Sequence, residues 1–247
     1  MNSCNLSSSE VAVVRYIDTT ISVATVVVAV LAIAMVLKLR LHKTLCYRLA
    51  VYQIVAALLR GIVNALQIVF IDYSKNVALY KPLCMTVSTI LQFSSWAEFL
   101  FAGWVTFHLF FFTVCFKNLR RLEAFYVIST LLWSMTLAIV PTITSSYGNT
   151  EGGACWFINT GAGAVERYAL WSAPIWSLLI ATSVGVAVIL AVLMIRICRR
   201  KTIPGNYQQT KALKQLLPLL VYPVTCSLLF VPTVTKNIYD YFYCPNF

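Results

Sequence analysis

The stretch Cys84–Arg121, CMTVSTILQFSSWAEFLFAGWVTFHLFFFTVCFKNLRR, decides the fold. Between Lys81 and Lys117 lie 35 residues with a single formal charge, Glu98, near their middle. At 1.5 Å of rise per residue this is helix enough to cross a bilayer at a tilt and still project from it. A cysteine opens the stretch and a basic cluster closes it. Such a helix places one end in an oxidising space and the other in the cytosol if the cysteine has a partner. A candidate partner is Cys155, in the polar loop GNTEGGACWFIN.

Composition sets the class around that helix. The chain of 247 residues is 60% hydrophobic and 11% charged, with a mean hydropathy of +0.80. Soluble domains carry about 25% charged residues, so this is an integral membrane protein. A net charge of +11 would suggest nucleic acid in a soluble protein. Here the Lys and Arg lie between apolar runs, where they act as topology signals against anionic lipid, and no nucleic-acid partner is expected.

Before the central stretch, MNSCNLSSSE lacks the basic and apolar regions of a cleavable signal peptide. Asn5 opens a glycosylation sequon, usable only outside the cytosol. Thr19–Leu37 is an uncharged run followed by Lys38, Arg40, Lys43 and Arg48. The second span is interrupted by Arg60, and its polar residues Gln53, Arg60, Asn64 and Gln67 share one helical face that must look inward. On the central helix Gln92, Ser95, Glu98 and Ala102 recur at helical spacing as a second stripe, while Phe93, Trp96, Leu100 and Trp104 are large and apolar. Arg60 and Glu98 each lie near the midpoint of a span, which predicts an intramembrane ion pair between neighbouring antiparallel helices.

Beyond it, the fourth span carries Trp133 and Pro141, the fifth follows Arg167, and the sixth holds Pro218, Pro223 and Pro232. The expected architecture is all-α, a multi-span transmembrane bundle of six helices at about 19–40, 46–72, 82–116, 123–143, 168–197 and 211–236. An outer N-terminus of residues 1–18 precedes the bundle, 19–236, and an outer tail of 237–247 follows it. Inner loops then hold 13 Lys and Arg against five outside, with Arg60 in the membrane, so the N-terminus is expected outside. Cys4, Cys84, Cys155 and Cys244 all fall on that side. The predicted pairing is Cys84–Cys155, with Cys4–Cys244 as a second.

A Cys opening the third helix, Cys155-Trp156 in the second outer loop, Trp133 in the fourth helix and a Pro-kinked sixth resemble a G-protein-coupled receptor. The resemblance covers residues 19–236, helices 1–6 of that family's seven. His108-Leu109-Phe110 stands where rhodopsin-like receptors carry an acidic-Arg-Tyr triplet, and Gln53 where they carry Asp. Phe116-Lys117-Asn118-Leu119-Arg120-Arg121-Leu122-Glu123 is more similar to the secretin-like and cAMP-receptor-like branches. Six spans leave the C-terminus outside, so the chain reads as a truncated or atypical form.

The resemblance implies a multi-pass plasma-membrane protein that binds an unknown extracellular ligand near Asn64, Gln92, Glu98 and Trp156. Movement of the sixth helix would then expose Lys117, Arg120, Arg121, Lys211 and Lys214 to a cytosolic partner, in that family a heterotrimeric G protein. The alternative is a six-span transporter or channel, which suits the even helix count and the midplane charges but lacks a visible repeat or filter-like Gly run. No enzyme is expected: the two His, His42 and His108, are separate, with no catalytic pairing, no metal-ligand cluster and no membrane Lys for a retinal link. No cofactor is predicted.

Overall fold

The computed structural model describes residues 8–40, 44–73, 77–111, 122–149 and 155–157, together with 177–178, 180–189, 191–192 and 195. Four long helices follow one another: α1 (Ser8–Lys38), α2 (Leu45–Tyr73), α3 (Val77–Phe110) and α4 (Glu123–Ile143). Two three-residue strands, β1 (Tyr147–Asn149) and β2 (Cys155–Phe157), then pair antiparallel. A shorter apolar helix, α5 (Ile180–Ile189), lies within the fifth expected span. The sixth span, 211–236, lies outside the described residues.

Thr19–Lys38, Leu45–Gln67 and Glu123–Ile143 are each long and apolar enough to cross a membrane. Their apolar residues point outward as well as inward, which water would penalise and lipid does not. On α4 the outward set includes Phe125, Ile128, Leu132, Trp133 and Met135, all more than half exposed, while Tyr126, Thr130, Ser134, Ala138 and Pro141 are buried. That spacing of four, four, four and three is one helical face, and its small residues let α4 lie close against α3.

The central helix α3 is buried on several sides. Toward α2 it presents Val87, Leu91, Ala97, Phe101, Val105 and Leu109, which join two apolar clusters with Val63 and with Leu45, Cys46, Leu49, Ala50 and Ala56. Toward α4 it presents Thr89, whose hydroxyl lies 2.6 Å from that of Thr142, and Trp104, whose indole N–H donates to Thr130 Oγ1 at 3.1 Å. Toward α5, Gly103 faces Leu178 and Thr182, and Thr106 meets Gly185. A Cβ on Gly185 would come within 2.9 Å of Thr106 Cγ2, so a glycine is what lets α5 approach.

Helix α1 touches the bundle along one line. Gly61 of α2 sits where a Cβ would come 3.0 Å from Val26 Cγ2 and 3.2 Å from the Ser22 carbonyl. The absent side chain thus sets how closely the two backbones approach.

Two helices extend outward beyond the membrane spans expected from the charge pattern. Helix α1 begins at Ser8 rather than near residue 19, and α3 at Val77 rather than at Pro82. Charges mark where lipid ends, whereas a helix continues until its backbone finds other partners. Pro82 lies inside α3, and the Thr86 hydroxyl donates to the Pro82 carbonyl at 2.9 Å.

Candidate functional site

The site is built around α3 and the hairpin at one end of it. Cys84 in α3 and Cys155 in β2 stand at disulfide distance, with Cα atoms 5.2 Å apart across a separation of 71 residues. The Cys155 carbonyl also accepts a hydrogen bond from Gln67 Nε2 of α2 at 3.2 Å. Trp156 packs against Val63, Val87 and Leu91, at the top of the α2–α3 seam. On the hairpin's other side Tyr147 and Phe157 are paired in register, with ring centroids 4.9 Å apart. Burial raises the Tyr147 hydroxyl above its ordinary pKa, keeping it neutral where it donates to the Ala138 carbonyl at 3.4 Å.

Below the hairpin lies an ion pair between the same two helices. Arg60 Nε of α2 is 3.1 Å from Glu98 Oε2 of α3. The carboxylate side chain is 4% exposed and the guanidinium 20%. Glu98 follows Leu91 by seven residues and Val87 by 11, about two and three helical turns, so it points into the α2–α3 seam. An isolated charge at membrane depth costs about 2.5–3.5 kcal/mol on insertion scales, a cost that pairing relieves. The other polar residues of α2 are also turned inward: Gln53 and Gln67 are buried, and Asn64 is half-buried.

Gln92 lies on a different face. It precedes Gly103 by 11 residues and Ser88 precedes Thr106 by 18, about three and five turns, so both point to the side of α3 that meets α5. The expected ligand-contact set is thereby divided: Glu98 and Trp156 belong to the α2–α3 seam, and Gln92 to the neighbouring face. Both polar atoms of the Gln92 amide are buried without a hydrogen-bond partner, as are Ser88 Oγ and Trp96 Nε1. A buried polar group in that condition costs about 1–3 kcal/mol.

The opposite end of the bundle holds a second ion pair. Arg48 of α2 bridges to Glu123 at the start of α4, and the Tyr52 hydroxyl lies 3.4 Å from the other Glu123 oxygen. Beneath them Trp104 stacks on Tyr126 at 4.7 Å, and His108 meets the edge of the same Tyr126 ring at 6.5 Å. His108 is buried, and its Nδ1 and the Tyr126 hydroxyl have no hydrogen-bond partner.

Reading the sequence missed the Arg48–Glu123 bridge. Its signal was that Glu123 is the lone acid among the segments assigned to the inner side. Trp96, a large apolar residue in the sequence, is buried with its indole nitrogen unpaired. Cys4, Asn5, Lys117, Arg120, Arg121, Lys211, Lys214 and Cys244 lie outside the described residues. Among the described residues, no group of three His, Cys, Asp or Glu is placed to hold a metal ion.

No protein-family model matches the chain, and no curated protein matches it significantly.

Proposed function

We propose that this chain is a receptor-like protein of the plasma membrane, resembling a G-protein-coupled receptor, that senses an extracellular ligand between its helices. The observation that carries the reading is the Cys84–Cys155 pair at the end of a buried central helix. It fastens a hairpin over a bundle in which Gln53, Gln67, Gln92 and Glu98 are buried. The charge count of 13 against five supports an outer hairpin end and N-terminus, on the side where a disulfide persists. A ligand held under the hairpin shifts the bundle only by binding one packing better than another. The basic segments with Lys117, Arg120, Arg121, Lys211 and Lys214 are the surface offered to a cytosolic partner, in this reading a heterotrimeric G protein.

The test is nucleotide exchange on heterotrimeric G proteins added to membranes from cells expressing the full chain. A rise above that of membranes bearing Cys155→Ser, with an N-terminal tag labelled in unpermeabilised cells, is the expected result. Absence of exchange across the G-protein classes, or a tag reached only after permeabilisation, overturns the proposal. The Arg60–Glu98 pair favours a second reading, a transporter or channel, because intramembrane charges also mark ion and substrate pathways. Solute flux or conductance in reconstituted vesicles selects that reading.

A further inference from the structure

Three polar side chains of α3 stand in a row at successive helical turns: Ser88, Gln92 and Trp96. At 1.5 Å per residue the row is about 12 Å long. Ser88 and Gln92 are fully buried and Trp96 is 3% exposed. Four polar atoms of this row lack a hydrogen-bond partner: Ser88 Oγ, Gln92 Oε1, Gln92 Nε2 and Trp96 Nε1. Buried polar groups in folded proteins are almost always paired, and each exception calls for a cause such as strain, a catalytic role, or a water or ion that completes it. Several other polar groups of the same helix are paired, while His108 Nδ1 is not: the Ser94, Thr89 and Thr106 hydroxyls donate to backbone carbonyls, and the Trp104 N–H donates to Thr130.

The charges nearby do not serve this row. Glu98 is neutralised by Arg60 and points into the α2–α3 seam, on the line of Val87 and Leu91. The row itself carries no charge. It offers N–H donors from Gln92 and Trp96, an acceptor from the Gln92 carbonyl, and a Ser88 hydroxyl that serves as either.

We infer that Ser88, Gln92 and Trp96 form the recognition strip for an uncharged ligand bearing both a hydrogen-bond donor and an acceptor, such as an amide. This rests on the receptor-like reading and narrows the ligand chemistry of its site. Among the described residues the strip has no counter-charge, so an ammonium or carboxylate ligand would lose its hydration there without replacement, whereas an amide completes the unpaired amide of Gln92 in both senses.

The test uses the full chain purified in detergent micelles and three probes of similar size: N-benzylacetamide, phenethylammonium and 3-phenylpropanoate. Thermal unfolding midpoints are measured at millimolar probe. The neutral amide raises the midpoint of the wild-type chain and the two ions do not, by preferential binding to the folded state. Gln92→Leu abolishes that rise, and without probe it unfolds at a higher temperature than wild type because an unpaired amide has been replaced by an apolar side chain. Ser88→Ala, a milder change should the leucine variant not fold, weakens the apparent affinity for N-benzylacetamide about three- to tenfold.

The inference is overturned if an ion stabilises the chain as well as the amide does, if no probe shifts the midpoint, or if Gln92→Leu keeps the shift. A lower midpoint for Gln92→Leu without probe also overturns it, since the amide is then already satisfied by structural water. A chain that binds the neutral probe but drives no nucleotide exchange keeps the strip and loses the receptor role. Nucleotide exchange driven by a charged ligand does the reverse.

Discussion

Among the described residues, two ion pairs tie α2 to its neighbours, and they differ in where they sit. Arg60–Glu98 joins α2 to α3 inside the bundle, with the carboxylate side chain 4% exposed. Arg48–Glu123 joins α2 to α4 at the bundle's end, with both side chains more than a fifth exposed. The chemistry is the same and the solvation is not. Removing one partner of a buried pair leaves a charge with nowhere to go, whereas water takes over at the end of the bundle. The first pair is therefore a condition of assembly, and the second an adjustable fastening.

The largest effect belongs to the interior pair. Glu98→Gln strands Arg60 and is expected to destabilise the bundle by about 3–5 kcal/mol, read as loss of folded protein at the cell surface. The exchange Arg60→Glu with Glu98→Arg restores much of that yield; absence of rescue shows that the two residues do not act as a pair.

Next comes the covalent tie at the hairpin end. Cys84→Ser and Cys155→Ser should each cost about 2–4 kcal/mol, with the double variant no worse than either single one. Thermal denaturation in detergent checks this, and additive losses break the linkage. A smaller change is expected from Thr130→Val, which removes the acceptor of the Trp104 N–H and costs about 1–2 kcal/mol in the same assay.

The smallest effect belongs to the pair at the end. Glu123→Gln is expected to lower stability by about 0.2–1 kcal/mol, a difference that shrinks as salt is raised. If Glu123→Gln is as damaging as Glu98→Gln and indifferent to salt, the contrast between the two pairs fails.

Much of this was legible because the lipid makes polarity informative. Gln53, Arg60, Asn64 and Gln67 stand out from an apolar helix, and nothing but the interior can receive them. Arg60 and Glu98 were matched by depth alone, and Cys84 and Cys155 by compartment. Arg48–Glu123 was hidden because a lone acid inside a basic segment reads as part of the loop. Trp96 was hidden because an indole is both apolar and a donor, and position alone does not say which property is used. The hairpin was not foreseen either: a Gly-rich polar loop carries no alternation of apolar residues to announce Tyr147–Asn149 and Cys155–Phe157.

Cys155 is held twice, by its sulfur toward Cys84 on α3 and by its carbonyl oxygen from Gln67 on α2. These two anchors come from antiparallel rods that lie side by side. A displacement of one rod along the other pulls the anchors in opposite directions and rocks the little ribbon as a seesaw rocks on its pivot. Trp156, seated between those rods, swings with it, so sliding within the bundle is converted into tilt at its rim.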